Sequence, residues 1–232
     1  MVKTKLKMMS HYKASCIMPT ANREKFIAQA VYYFLNQSFR DAELVIVDDG
    51  KNSVKNLLPE HRRISYYYIE PLGSIGSKRN YACGKAQGEI IIHWDDDDYY
   101  GYDWINQSIE ALERSGADIC GLNEIMFYSP IENKYWTHKN EDVDRPYIAG
   151  ATMAYSKDFW KKHPFKDIQI GEDYDYVWNS GAKIFAHNYK EGFIATLHSE
   201  NTTLKPFEKA KFKKHAIQWM DVPFMGNTEN PE

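Results

Sequence analysis

Four consecutive carboxylates, Asp95-Asp96-Asp97-Asp98, follow directly on the apolar run Ile90-Ile91-Ile92-His93-Trp94. Adjacent anionic side chains repel one another, so a cluster this dense calls for positive charge among them. In an extended segment Asp95 and Asp97 project to the same side, which makes a two-pronged ligand for a hard cation. Mg²⁺ or Mn²⁺ suits such a pair, with substrate phosphates completing the coordination shell. The alternative is a solvated acidic turn, or a helix N-terminus that uses Asp98 as its cap. Surface acids rarely follow a wholly apolar strand directly, which favours the ligand reading. His93, inside the apolar run, reads as a core residue. Two further acidic pairs stand beside glycines: Asp48-Asp49 before Gly50, and Glu172-Asp173 after Gly171. Turn shaping and helix capping are the structural readings of those pairs.

The elements around these residues alternate. Short apolar runs at 14–18, 43–47, 64–69 and 89–94 read as buried strands, the first halted by Pro19. Between them, apolar positions Phe26, Ile27, Ala30, Val31, Phe34 and Leu35 recur at helical spacing over 22–36, with Asn22 as a plausible N-cap. A short helix is expected at 53–58, and 73–87 becomes helical by Ser77 and ends at Gly88. Strands alternating with helices at this interval imply a parallel sheet with right-handed crossovers, in which ligands bind beyond the carboxyl ends of the strands. Residues 19–22, 48–49 and 95–98 all fall at such ends and should converge on one crevice. A helix at 104–112 and a strand at 117–122 follow. From 123 to 155 the pattern changes to short aromatic strands broken by turns. Short helices at 158–162 and 173–180, a strand at 193–197 and a C-terminal helix at 205–220 complete the chain, with a polar, disordered tail at 226–232.

The 232 residues fit one large domain or two small lobes sharing a core. Hydrophobic residues make up 43% and charged residues 26%, as in an ordinary soluble protein. A net charge of −3 argues against a nucleic-acid binder that works by neutralising phosphates. The aromatic share of 15% suits sites that take flat or sugar-like ligands. Cys16, Cys83 and Cys120 are scattered without paired spacing, the pattern of a reduced cytoplasmic chain. Neither a signal peptide nor a membrane span is legible.

Several motifs stand in order along the chain. They are Ser15-Cys16-Ile17-Met18-Pro19-Thr20-Ala21-Asn22-Arg23, Leu44-Val45-Ile46-Val47-Asp48-Asp49-Gly50, Gly76-Ser77-Lys78-Arg79-Asn80-Tyr81-Ala82, Ala86-Gln87-Gly88-Glu89-Ile90-Ile91, the four acids, Gly150-Ala151, and Gly171-Glu172-Asp173-Tyr174-Asp175. The ordered set resembles the inverting nucleotide-sugar glycosyltransferases of family 2, over about the first 200 residues. The resemblance implies the GT-A fold: α/β, a Rossmann-like, mostly parallel sheet with helices on both faces and a smaller, irregular acceptor-side half. Residues 1–225 would then be a single catalytic domain, with 12–100 binding the nucleotide-sugar and 101–204 the acceptor.

By the same resemblance, Pro19, Asn22 and especially Asp49 hold the nucleobase. A carboxylate that accepts from a base N–H fits uracil N3 or guanine N1; a UDP-sugar is the favoured donor. The acids correspond to the family's DxD motif, with Asp97 on the metal and Asp95 and Asp96 near the ribose and the metal's water shell. Lys78 and Arg79 either bring positive charge to the phosphates or, for Arg79, pair with the acids. Asp173 matches the general base that takes the proton of the acceptor hydroxyl as it attacks the anomeric carbon; Glu172 and Asp175 are its rivals. His198 resembles a late histidine that some GT-A enzymes use as a further metal ligand, which would favour Mn²⁺ over Mg²⁺.

No Gln-x-x-Arg-Trp motif and no membrane helix are present, so transfer of one sugar is expected rather than processive synthesis. The acceptor would be a saccharide or lipid-linked saccharide, with Tyr128, Tyr135, Trp136 and Tyr147 forming its side of the site. The lysines of 205–220 suit either a helix packed on the domain or weak contact with an anionic membrane surface. That contact would make the protein peripheral to the membrane's inner face. The alternatives to transfer are a sugar nucleotidyltransferase and a non-catalytic sugar- or nucleotide-binding relative. The first usually carries a glycine-rich, basic loop after its first strand, where this chain has Pro19-Thr20-Ala21-Asn22.

Overall fold

The computed structural model describes residues 12–139, 147–201 and 213–214. Its first half is strands alternating with helices, as the periodicity predicts: β1 Ala14–Thr20, α1 Glu24–Leu35, β2 Ala42–Asp48, β3 Ile64–Tyr68, α2 Ile75–Lys85 and β4 Ile90–His93. The short strand β5 Tyr99–Tyr100 and helix α3 Trp104–Ser115 follow, then β6 Ile119–Gly121, β7 Glu124–Ser129 and β8 Lys134–Lys139. β9 Ala154–Ser156, α4 Lys157–Lys162, α5 Glu172–Asn179, β10 Ile184–Ala186 and β11 Phe193–Thr196 complete the continuous part, and Lys213–Lys214 is β12.

The larger sheet runs β10-β6-β9-β4-β1-β2-β3, parallel except for β9, which is antiparallel to both of its neighbours. Successive residues of its central strands point to opposite faces. Cys16, Met18, Leu44 and Ile46 pack on one side with Ile27 and Phe34 of α1 and Trp104 of α3. Ile17, Val45 and Val47 pack on the other with Ala82 and Cys83 of α2 and Tyr176 and Val177 of α5. Both faces are therefore covered, which is why these strands read as unbroken apolar runs. The second sheet, β12-β8-β7-β11-β5, carries the irregular half.

Three expectations need correction. Pro19 does not halt the first strand: it lies inside β1 opposite Val47. The pairing of β1 with β4 ends at Ile17 and His93, so the missing N–H of Pro19 falls beyond the end of β4. Asn22 is not the cap of α1; that position is Arg23, and Asn22 sits in the left-handed region at φ 54°. Lys213 and Lys214 are paired antiparallel with Thr137 and Trp136 of β8 rather than helical, and the rest of 205–220 and all of 226–232 lie outside the described residues. Among the described residues, no helix is long and apolar enough to cross a membrane. Cys16, Cys83 and Cys120 are free and buried, as expected of scattered thiols.

His187, just past β10, gives the fold a pH dependence of its own. Its ring lies 5.6 Å from that of Trp104, and its Nε2 is buried with no hydrogen-bond partner among the described residues. Burial pushes its pKa down to about 4 from the ordinary 6.5. The folded state thus keeps the imidazole neutral while the unfolded chain takes up a proton. The associated stability is present above pH 6.5 and is lost as pH falls towards 4, on the order of 3 kcal/mol. Urea unfolding at pH 7 and pH 4.5 should show His187→Phe losing less stability on acidification than the wild type. An equal loss would mean that the imidazole is not held neutral.

Candidate active site

The carboxyl ends of β1, β2 and β4 open into one cleft of about 630 Å³, whose lining includes Pro19, Thr20, Arg23, Asp49, Lys78, Arg79, the four acids, Gly150 and Asp173. The predicted convergence of strand ends holds for Pro19, Thr20, Ala21, Asp49 and the four acids but not for Asn22 or Asp48, and the far wall comes from the second half of the chain.

The aspartates of the β2 turn divide two tasks. Asp48 is fully buried and accepts from Gly50 N at 2.9 Å, Val54 N at 3.1 Å and the Tyr66 hydroxyl at 2.7 Å, so it builds the turn. Asp49 faces the cleft and pairs with Lys78, whose Nζ also donates to the Thr20 carbonyl at 3.1 Å. Asn22 is spent on the adjacent loop, where its Oδ1 accepts from Lys51 N at 2.8 Å.

Lys78 and Arg79 reach the cleft because α2 is pinned at its start. The Ser74 hydroxyl accepts from Ser77 N at 3.1 Å and donates to Asp167 at 2.5 Å, and Gly76 N donates to the Ile168 carbonyl at 3.3 Å. Gly76 permits that approach: a Cβ there would lie 1.9 Å from the Lys166 carbonyl oxygen. Arg79 pairs with the acids, one of its two sequence readings. Its guanidinium lies 3.6 Å from Asp95 and 3.2 Å from Glu172, bridging the acidic turn to α5.

Asp96, Asp97 and Asp98 lie in a turn and bend rather than an extended segment, so the strand alternation that would put Asp95 and Asp97 on one side does not apply. Asp95 meets Arg79. Asp96 accepts from the Thr20 hydroxyl at 2.5 Å and lies 3.4 Å from Arg23. Asp97 Oδ2 accepts from Arg23, from His198 Nε2 at 3.0 Å and from Asn201 at 3.4 Å. Asp98 fastens the acids to β11 by accepting from Thr196 N at 2.9 Å. Burial, added to by the charge of Asp97, pushes the Asp96 carboxyl up to about 7. Burial opposes ionisation of Asp97 too, but the hydrogen bond from His198 and the charge of Arg23 hold it below the usual carboxylate range.

Of the three acids at the start of α5, two are committed elsewhere. Glu172 is buried and bonded to Arg79, and Asp175 is held by Lys166 at 2.5 Å and Asn179 at 2.6 Å. Asp173 lines the cleft, accepts from Tyr174 N at 2.8 Å and packs on the bare backbone of Gly150. Among the expected acceptor aromatics, Tyr147 lines the cleft and lies 5.7 Å from the Tyr174 ring. Trp136 instead belongs to the core, and Tyr128 is buried against Tyr135 at 4.5 Å.

Arg23, Thr20 and Asn201 were not assigned from sequence. Arg23 and Thr20 stood inside a quoted motif, but their partners lie more than 70 positions away, at Asp96 and Asp97.

The sequence profile of Glycosyl transferase family 2 matches residues 15–197. The chain belongs to this family. The match spans both halves of the cleft, from β1 to the end of β11. Residues of the chain are 36% identical, over 37% of its length and 30% of the relative, to GalNAc(5)-diNAcBac-PP-undecaprenol beta-1,3-glucosyltransferase of Campylobacter jejuni. They are 27% identical, over 85% of the chain and 31% of the relative, to chondroitin synthase of Escherichia coli. The crystal structure of Staphylococcus aureus TarS residues 1–349 with UDP-GlcNAc superposes with a TM-score of 0.64 at 19% identity, covering 81% of this chain and 59% of that one. That likeness establishes the GT-A fold. The chain spans under two thirds of the length of each of these proteins.

Proposed function

We propose that the protein is a metal-dependent, inverting glycosyltransferase that moves one sugar from a UDP-sugar to an acceptor hydroxyl. The observation that carries this reading is the arrangement of Asp173 and the acidic turn on one cleft, tied together by Arg79 between Asp95 and Glu172. Membership of family 2 and the fold shared with a UDP-GlcNAc-bound structure support it.

Each group has a role. Asp49, an acceptor beside the donor Lys78, matches the adjacent N–H and C=O of uracil. Asp97 Oδ2 and His198 Nε2 lie 3.0 Å apart, hydrogen-bonded to each other, and would both serve a cation that takes the place of the shared proton. Among the described residues no group of three or more His, Cys, Asp or Glu is arranged to hold a metal. The pair would hold a cation only together with water and oxygens of the donor's diphosphate, and its mixed donor set suits Mn²⁺ better than Mg²⁺. Bound there, the metal would supply Lewis-acid stabilisation of the departing diphosphate. Asp173 takes the proton of the acceptor hydroxyl on the face opposite the leaving group, which gives inversion without a protein nucleophile. The rings of Tyr147, Tyr174 and Trp178 follow one another at 5.7 and 5.1 Å, each tilted against the next, with Tyr174 adjoining Asp173 in the chain. Their faces suit a saccharide acceptor, and a lipid-linked one accords with the name of the Campylobacter relative.

A thermal-shift panel of nucleotide-sugars with Mn²⁺ tests the donor half. A UDP-sugar should raise the melting temperature by several degrees, since a ligand at 100 times its Kd stabilises by about 2.7 kcal/mol. Asp97→Asn should weaken that binding at least about tenfold, given the loss of one charged ligand. A panel in which no nucleotide-sugar stabilises the protein, or an Asp97→Asn variant that responds like the wild type, would refute the assignment.

A further inference from the structure

Asp97 Oδ2 is contested. It accepts from Arg23, His198 Nε2 and Asn201, and it is the oxygen that the proposed cation site requires. Arg23 also lies 3.4 Å from Asp96 and donates from its other guanidinium nitrogen to the Glu200 carbonyl at 2.7 Å. The pair is withdrawn from water, with the Arg23 and Asp97 side chains 14% and 11% exposed. Of the other cations of the cleft, Arg79 is paired with Asp95 and Glu172, and Lys78 with Asp49 and the Thr20 carbonyl. Among the described residues, Arg23 and His198 are the basic side chains paired with Asp96 or Asp97.

Asp97 Oδ2 already accepts from three donors, so a divalent cation that binds it must displace at least one of them, and the guanidinium is the donor whose fixed charge repels the cation. From that geometry we infer that Arg23 is a resident counter-ion for the acidic turn, which a divalent cation displaces from Asp97. In the metal-free protein it neutralises Asp97 and ties the loop at 198–201 to the start of α1. When the cation binds, Arg23 yields Asp97, and its fork is freed towards the cleft, where a diphosphate offers oxygens in exchange. Arg23 therefore lowers the affinity for the metal alone and couples metal binding to the arrival of the donor, whose phosphates accept the freed guanidinium. Arg23 acts here as a positioning residue, and the inference rests on the cation reading given above.

The test measures Mn²⁺ alone, by calorimetry and by the electron paramagnetic resonance of free Mn²⁺, on the full chain and on Arg23→Gln, Arg23→Lys and Asp97→Asn. Arg23→Gln is expected to bind Mn²⁺ at least about tenfold more tightly than the wild type, since it no longer loses a charge-assisted bond on binding. It should also melt at a lower temperature without metal. Arg23→Lys keeps the charge but not the fork and should fall between the two, and Asp97→Asn should lose binding. A merely structural arginine would weaken Mn²⁺ binding when replaced. If the wild type binds Mn²⁺ through Asp97 and Arg23→Gln binds no more tightly, the counter-ion role is overturned and the cation reading stands. If neither the wild type nor Arg23→Gln binds Mn²⁺, the cation reading itself falls, and the counter-ion role with it.

Discussion

Asp173→Asn is expected to lower sugar transfer about a thousandfold at saturating donor, within the range for loss of a general base. Donor affinity should stay within about twofold, because the donor-side groups are held by other residues. Arg79 is anchored by Asp95 and Glu172, and Asp97 by Arg23 and His198. Asparagine keeps the volume of the side chain and can still accept from Tyr174 N, so the start of α5 should not move. The measurements are kcat for transfer and the Kd of the donor with Mn²⁺, on protein whose melting temperature matches the wild type. Unimpaired transfer would remove Asp173 from the chemistry. Glu172 would be a poor substitute, since it is buried and burial raises its carboxyl only against the opposing charge of Arg79. A combined loss of transfer and donor binding would place Asp173 on the donor instead.

How far the sequence could be read depended on how local the cause was. The run at 90–93 was legible as a strand because β-branched residues buried on both faces leave no polar period, and β4 is buried throughout. The acids at its end were legible as a candidate site for the same reason. Their geometry was not. Whether Asp95 and Asp97 share a side depends on the backbone after Trp94, and the backbone there turns. The turn is set by contacts with Thr20, Arg79, Thr196 and His198, none of them near in sequence. Pro19 was misread because a proline is compatible with a strand wherever its missing donor meets no neighbour, and only the register of β1 against β4 shows that. Trp136 was assigned to the acceptor because aromatic type alone does not say which face of β8 is covered; it packs in the core. The choice among Glu172, Asp173 and Asp175 was open in the sequence and narrows in the structure, since two of the three carboxylates are already paired.

Gly150 bears on the proposed base although it carries no side chain. A Cβ on Gly150 would lie 2.4 Å from Asp173 Oδ2, 2.9 Å from its Cβ and 3.0 Å from its Cγ. Contact with the terminal oxygen alone could be relieved by rotating the carboxylate, but contact with Asp173 Cβ requires the start of α5 to shift. That start is tethered by Glu172 to Arg79 and by Asp175 to Lys166, so the strain falls on Asp173. Gly150→Ala is therefore expected to cut kcat about a hundredfold, the scale of a misplaced reacting group, with the donor Kd unchanged because Asp49, Lys78 and Asp97 stand on other elements. Introduced into Asp173→Asn, the same change should cost little more, since it acts through a carboxylate already removed. A Gly150→Ala variant with wild-type kcat would show that the close packing of Asp173 on this backbone is not what aims it. Losses that multiply in the double variant would mean that Gly150 acts on the reaction by a route other than Asp173.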